Sequence, residues 1–148
     1  MKSKFGLGAV LAGGLLACAN VAFAQDDDDG NYTYLSASLF NEEAKGKNAD
    51  ASGDFSAEAN LDTGEICYLL EVADMQGATA AHIHRGGKGK TGEAVAKLTI
   101  AAGAEDDETC ETMDGELLRQ IAKKPGSFYV AVSTEAKPAG AIRGQLEN

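Results

Sequence analysis

Residues 51–60 alternate between two kinds of side chain at every step. The odd positions carry small or apolar residues, the largest being Phe55, and the even positions carry Ser, Asp, Glu or Asn. A repeat of two residues places alternate side chains on opposite faces of an extended chain, whereas a helix repeats after three to four residues. The segment therefore predicts a β-strand with one buried face, and it favours a sheet-based fold.

Six other short segments also have strand character, and turn residues such as 62–64 (DTG) and 137–140 (KPAG) separate them. The whole chain contains 18 glycines but only two prolines, which suits a turn-rich β protein better than a helical bundle. Many short strands of this kind are typical of an antiparallel sandwich or barrel. The seven predicted strands cover residues 32–40, 51–60, 65–72, 79–84, 93–100, 127–134 and 140–147.

One short helix is predicted at residues 115–124, just before the last two strands. Asp114 can cap its first turn, and Leu117, Leu118 and Ile121 supply an apolar face at helical spacing. A Pro-Gly pair follows and ends the helix. The acidic segment 103–111 that precedes it is predicted to be a loop.

The N-terminus has the features of an export signal. Lys2 and Lys4 precede an uncharged apolar run at residues 5–17, and the Ala-Phe-Ala sequence ending at Ala24 matches a signal-peptidase site. We therefore expect residues 1–24 to be a cleavable signal peptide and the mature protein to be periplasmic or secreted. The apolar run is short for a bilayer span, and no other stretch comes near the required length, so no transmembrane segment is predicted.

Cys18 offers an alternative, because residues 15–18 (LLAC) loosely resemble a lipoprotein box. A leucine at the second position of that box fits poorly, so we do not expect a lipid anchor at Cys18. Residues 25–30 (QDDDDG) are predicted to be a disordered acidic leader, since adjacent aspartates repel each other and have nothing to bury, with loose calcium capture as the alternative. The remaining residues, 31–148, form one predicted domain.

The charge balance restricts the kinds of partner. The chain has 13 basic and 23 acidic residues, a net charge of −10, and loss of Lys2 and Lys4 with the signal makes it −12. Such a charge favours solubility and repels nucleic acid and anionic membranes. We expect an unknown protein or extracellular polymer as partner, and no nucleic acid.

Cys67 and Cys110 are the two cysteines left after signal cleavage. An even pair in an oxidising compartment favours a disulfide. Two free thiols or a metal site are the alternatives, although no CxxC spacing supports a metal.

The two histidines of the chain form a His82-Ile83-His84 run. Residues two apart on a strand share a face, so both imidazoles should project side by side and could begin a Cu or Zn site. A third ligand is missing from the run, and Glu93 is the nearest candidate in sequence. The alternative is a polar strand whose histidines hydrogen-bond to loop backbone.

The loop 85–92 (RGGKGKTG) imitates the end of a nucleotide-binding P-loop, but His84 stands where the first glycine of that motif should be. Arg85 and the loop lysines are more simply solvated, with a local anion contact as the alternative. Arg143, on the last strand, could bind a carboxylate or stabilise a turn, and we expect a structural role for it. No catalytic residue set stands out.

Three segments together resemble the CHRD domain, named after the repeats in chordin and also found singly in bacterial exported proteins. They are residues 64–68 (GEICY), residues 80–92 with the HIH run and the glycine loop, and residues 128–146, which end in IRGQL. The resemblance covers residues 32–147. It implies an all-β Greek-key sandwich or barrel, superoxide-dismutase-like or immunoglobulin-like, and it supports the Cys67–Cys110 pairing.

The chain departs from the family pattern at Ser133, where many CHRD domains carry a histidine, and Ala141 stands where Glu is frequent. If that histidine completes a metal site, the site is truncated here. The HxH strand also resembles the copper-binding strand of Cu/Zn superoxide dismutases, over three residues only. Two functions compete: a non-enzymatic exported binding domain, and a copper- or zinc-binding protein of superoxide-dismutase-like type, with His82 and His84 as ligands.

Overall fold

The computed structural model describes residues 31–42, 48–100 and 108–148. The predicted signal peptide at 1–24 and the acidic leader at 25–30 lie outside these ranges. None of the helices within them has the length and apolar character needed to cross a membrane. The elements are β1 (Tyr32–Phe40), β2 (Ser52–Asn60), β3 (Glu65–Ala73), β4 (Ala78–Arg85), β5 (Ala94–Leu98), β6 (Thr109–Thr112), α1 (Gly115–Lys123), a 3-10 turn (Pro125–Ser127), β7 (Phe128–Thr134) and β8 (Ile142–Gln145).

The eight strands form one antiparallel sheet in the order β5-β4-β7-β8-β1-β2-β3-β6. The sheet curls into a half-barrel whose ends come close together. Tyr68 on β3 marks this approach, because its hydroxyl accepts a hydrogen bond from the Thr99 N–H at 2.7 Å and donates one to Glu111 Oε1 at 2.9 Å. A single buried tyrosine thus links the end of β5 to β6.

The two halves of the sheet meet where β8 lies beside β1. Ser36 and Glu147 exchange backbone hydrogen bonds of 2.9 Å in both directions, and Phe40 pairs with Arg143. Gly144 is required at this junction, because a Cβ atom there would lie 2.3 Å from the Ser38 carbonyl oxygen. The close approach of the two strands therefore depends on a residue without a side chain.

The core lies on the concave side of the sheet and follows the alternation seen in the sequence. Along β1 and β2 every second residue is buried, with Leu39 and Ala59 fully covered and Phe55 1% exposed. Helix α1 covers one part of this core with Leu118 and Ile121, and the Asp114 carboxylate accepts the Leu117 N–H at 2.8 Å. The cap and the apolar spacing together explain why the helix forms here.

The predicted fold class is confirmed: the protein is all-β and antiparallel, with one short helix before the last two strands. The described residues form eight strands rather than seven, because β6 occupies residues predicted to be an acidic loop. Thr109–Thr112 form a strand at the edge of the described sheet, where it pairs with β3. An edge strand with half-exposed side chains carries no apolar alternation, so its pairing comes from tertiary contact rather than from local pattern.

Candidate functional site

His82 and His84 lie side by side on the convex face of β4, and the intervening Ile83 is fully buried on the other face. Their ring centroids are 5.9 Å apart with the planes at 75°. His82 is half-buried, whereas His84 is only 9% exposed. Burial, followed by the neighbouring charges of His84 and Lys97, lowers the pKa of His82 below its usual value. The strand therefore presents one accessible and one enclosed imidazole.

His84 is fixed by its neighbours. Its Nδ1 atom lies 3.1 Å from the Gly92 carbonyl oxygen, and its ring stacks on Tyr129 with centroids 4.9 Å apart and planes 10° apart. Because a carbonyl oxygen only accepts, the proton of a neutral His84 belongs on Nδ1. Nε2 is buried and has no hydrogen-bond partner among the described residues.

Tyr129 on β7 connects His84 to Arg143 on β8. The Arg143 guanidinium carbon lies 3.6 Å from the centre of the Tyr129 ring, close enough for a cation–π contact. Arg143 Nη2 also donates to the Lys90 carbonyl oxygen at 2.9 Å, and Nε lies 3.5 Å from Glu42 Oε1. Through these contacts Arg143 reaches the glycine loop, and the structural role expected for it stays a prediction.

The glycine loop, residues 86–92, is folded back over β7 and held by side chains of the sheet. Tyr129 Oη accepts the Gly92 N–H at 3.3 Å, and Gln145 Nε2 donates to the Gly86 carbonyl oxygen at 2.9 Å. We call His84, Tyr129, Arg143 and Gln145 the loop clamp.

Three carbonyl groups of the loop accept hydrogen bonds from the clamp. A P-loop instead directs its N–H groups at a phosphate. The glycine loop therefore packs on the sheet through its carbonyl groups and does not have the arrangement of a phosphate-binding loop. Gly92 permits this path, because a Cβ atom there would lie only 1.7 Å from the Arg85 carbonyl oxygen.

Arg85 and Glu93 pair with each other instead of joining the histidines. Arg85 Nε lies 3.9 Å from Glu93 Oε1, its guanidinium lies 4.9 Å from the centre of the Phe128 ring, and Nη2 donates to Gln120 at 3.2 Å. Arg85 is thus held by protein groups, and Glu93 is not brought to His82 and His84 as a ligand.

Ser133 on β7 lies on the same face of the sheet as His82. It is two residues after Ala131, which pairs with His82. Its hydroxyl donates to the Pro138 carbonyl oxygen at 3.1 Å. A histidine at this position would be a diagonal neighbour of His82 across two strands. Within the described ranges, the one group of three potential metal-binding side chains is Cys67, Glu108 and Cys110.

Cys67 and Cys110 face each other in the β3–β6 register. Their sulfur atoms are 2.07 Å apart, which is the separation of a disulfide, and their Cα atoms are 4.0 Å apart. Sulfurs bonded to each other are not metal ligands, so this pair holds the edge strand β6 on the sheet.

The convex face of β1, β2 and β3 has a different character that sequence reasoning missed. The large apolar side chains that are exposed among the described residues are Tyr32, Tyr34 and Phe40, with exposures of 38%, 67% and 59%. All three lie on the same side of β1. These residues are separated by even numbers of positions, which in a strand indicates a shared face. The sequence did not indicate whether that face would be exposed, because this depended on which side became the core.

Carboxylates stand beside these rings. Glu58 is directly opposite Tyr34, and its hydrogen bond with the phenol raises the pKa of Tyr34. Asp54 and Glu71 are directly opposite each other on β2 and β3, an arrangement of like charges that destabilises a sheet. We call Tyr34, Phe40, Asp54, Glu58 and Glu71 the acidic–aromatic face.

A groove of about 750 Å³ elsewhere on the domain is lined by amide side chains, among them Asn48 and Gln76. These two residues bond to each other: Asn48 Nδ2 donates to the Gln76 carbonyl oxygen, and the Gln76 N–H donates to Asn48 Oδ1. The Asn48 side-chain amide is thus bonded to the Gln76 backbone rather than free in the groove.

The sequence of residues 35–146 matches the family model of the CHRD domain. No curated protein and no solved structure matches the chain. The match spans the sheet from β1 to the residue after β8, so it includes the HIH strand, the glycine loop and the loop clamp. The chain belongs to the CHRD domain family.

Proposed function

We propose that the protein is an exported, non-enzymatic binding domain that contacts its partner, a protein or an extracellular polymer, through the acidic–aromatic face. The observation that carries this proposal is the row of exposed aromatic side chains on one side of β1. Single exposed apolar residues are ordinary, but Tyr32 and Tyr34 are neighbours on one strand face and Phe40 lies farther along the same face. Exposed apolar surface concentrated on one face is typical of interaction sites.

The rigidity of this face supports the proposal. Leu35 and Leu39 alternate with the aromatic residues and are buried in the core, and β1 pairs with β2 along its whole length. A preformed surface loses little conformational freedom on binding, and tyrosine and phenylalanine are enriched at protein interfaces.

A non-enzymatic role is supported by the use that the fold makes of its histidines. His84 is enclosed by Tyr129 and Gly92, so its ring is committed to the loop clamp. Export is supported by the predicted signal peptide, by the cysteine pair at disulfide distance and by the family.

Retention of the purified protein on the cell envelope of its source organism tests the proposal. Replacement of Tyr34 and Phe40 together by serine should abolish retention without unfolding the domain, since both side chains are exposed. Glu135→Gln, a change at an exposed site off this face, should leave retention unchanged. Equal retention of the double variant and the unaltered protein would contradict the proposed surface.

We propose metal binding as a second candidate function, because one specific observation favours it. A buried imidazole nitrogen without a hydrogen-bond partner is unusual, and Nε2 of His84 has none within residues 31–42, 48–100 and 108–148. The Nδ1 contact with a carbonyl oxygen is the arrangement that orients metal-binding histidines. His82 would supply a second nitrogen, and Cu or Zn suits a pair of imidazoles.

Titration of the protein with Cu²⁺ or Zn²⁺, followed by NMR of the imidazole nitrogens, tests this second function. His82→Ala is the informative variant, because His82 does not hold the loop, and it should remove stoichiometric binding. Ser133→His adds an imidazole beside His82 and should strengthen binding. Absence of stoichiometric binding at micromolar metal would eliminate the metal site.

A further inference from the structure

The chemistry of the acidic–aromatic face identifies a class of partner. We propose that this face binds an extended peptide segment with Lys or Arg side chains four residues apart. The inference rests on the proposed function, because it names the ligand of the same surface. Two subsites carry the argument, and each places an aromatic ring beside carboxylates that form no ion pair with the described residues.

The first subsite is formed by Tyr34 and Glu58. A groove of about 380 Å³ lies beside them and extends to Leu69 and Glu108. A cation over the Tyr34 ring would meet the ring face and the Glu58 carboxylate together, while the methylene groups of its side chain could lie against Leu69. Tyr34 is 67% exposed, so the ring is available for this contact.

The second subsite is formed by Phe40, Asp54 and Glu71. Asp54 pairs with Ser38, two residues from Phe40, so its carboxylate is a diagonal neighbour of the ring. The Ser38 hydroxyl donates a hydrogen bond to Asp54 at 3.0 Å. A hydroxyl is neutral, so it does not offset the negative charges of Asp54 and Glu71, which are opposite each other. A bound ammonium or guanidinium group would remove the repulsion between these two carboxylates.

The distance between the subsites sets the spacing of the ligand. Glu58 and Asp54 are four residues apart on one strand, which corresponds to about 13 Å at the usual rise of a strand. An extended peptide has the same rise, and its residues i and i+4 point to the same side. Cationic residues three apart would point to opposite sides and could not fill both subsites at once.

Charge complementarity favours a cationic partner over a neutral one. The ion pairs within the described part of the chain are Arg85–Glu93, Arg119–Glu116 and Arg143–Glu42, so none of them neutralises Asp54, Glu58 or Glu71. Arg143 is opposite Phe40 in register, but its guanidinium lies over Tyr129 and pairs with Glu42. A neutral polymer would leave the Asp54–Glu71 repulsion in place.

Titration of the ¹⁵N-labelled protein with synthetic peptides tests the inference. The probe is a capped pentapeptide with lysine at both ends and serine between them. We expect saturable chemical-shift changes at Tyr34, Phe40, Asp54, Glu58 and Glu71, with affinity in the millimolar range. A peptide with its lysines three apart should bind about 3-fold more weakly, and one with glutamine in place of lysine should not bind.

Matched variants separate this site from general attraction to an acidic protein. Asp54→Asn with Glu71→Gln should weaken binding about 5-fold or more. Glu116→Gln with Glu135→Gln removes the same charge elsewhere and should weaken it less than about 2-fold. Equal weakening by both pairs, or shift changes centred on another face, would overturn the inference.

The two proposals fail in different ways. If envelope retention depends on Tyr34 and Phe40 but no lysine peptide binds, the surface is correct and the partner class is wrong. A neutral glycan that shifts the same residues would give that result. Sedimentation of the free protein tests whether a second copy of the chain occupies this face. A dimer that dissociates in the Tyr34→Ser variant would assign the face to self-association and overturn the inference of a peptide ligand.

Discussion

The imidazole of His84 lies parallel to the phenol ring of Tyr129, with centroids 4.9 Å apart and planes 10° apart. Arg143 covers Tyr129 as well, and all three side chains hold the backbone of the glycine loop. His84 and Arg143, two residues that the sequence singled out, therefore form with Tyr129 a stack that attaches a loop to the sheet. This assigns the HIH and IRGQL motifs of the family to one structural unit.

Tyr129→Phe tests the hydroxyl of this stack. The change keeps the ring but leaves the Gly92 N–H without its acceptor, so the free energy of unfolding should fall by about 1 kcal/mol. Urea unfolding measures the loss, and hydrogen exchange at Gly92 should become faster. Tyr34→Phe, on the exposed face, is the matched control and should change stability by less than about 0.5 kcal/mol. Unchanged exchange at Gly92 would show that the hydroxyl does not hold the loop.

Arg143→Lys tests whether geometry or charge matters in the clamp. Lysine keeps the positive charge but cannot stack a planar group on Tyr129 while donating to Lys90, so we expect a loss of about 1–2 kcal/mol. Arg119→Lys should be nearly neutral, because the Arg119 side chain is half exposed. A thermal denaturation series compares the two. If Arg143→Lys is as stable as the unaltered protein, the positive charge at position 143 is sufficient and the stacking geometry of Arg143 does not contribute.

The sequence predicts much of the sheet because local pattern determines it. The alternation in residues 51–60 locates β2 to within one residue, and the Asp114 cap with its apolar spacing locates α1. It could not predict β6, whose edge position depends on pairing with β3 and leaves its side chains without a periodic signal.

The sites were predictable to a different degree. The shared face of His82 and His84 follows from strand geometry, but the role of Tyr129 depends on its contact with His84, which lies 45 residues earlier in the chain. The exposure of Tyr34 and Phe40 could not be predicted from the sequence for another reason. Aromatic residues on a strand normally indicate its buried side, and here the smaller Leu35, Ala37 and Leu39 face the core instead.

Replacement of both Cys67 and Cys110 by alanine should lower the free energy of unfolding by about 4 kcal/mol, the loop-closure estimate for a cross-link of this span. Under reducing conditions the unaltered protein and the double variant should have the same free energy of unfolding, because neither then contains the disulfide. Urea unfolding with and without dithiothreitol makes the comparison. A double variant as stable as the oxidised protein would mean that the bond adds nothing to the folded state.

The stability of the protein should fall as the pH drops through the range of His82. Burial, then His84 and Lys97, holds the pKa of His82 below its unfolded value of 6.5, so the unfolded chain binds this proton more tightly. The free energy of unfolding therefore decreases below about pH 6.5, and His82→Gln should lose less stability between about pH 7.5 and about pH 5.5. Identical pH profiles for the two proteins would show that His82 is not destabilised by protonation.

Photo-crosslinking in cells of the source organism tests the central claim most directly. A photoreactive amino acid replaces Phe40 in one version and the exposed Glu135, off the acidic–aromatic face, in another. We predict that position 40 forms a discrete adduct whose yield falls when a lysine-rich peptide is added, and that position 135 does not. An adduct at position 135 with none at position 40 would contradict the assignment of the acidic–aromatic face as the binding surface.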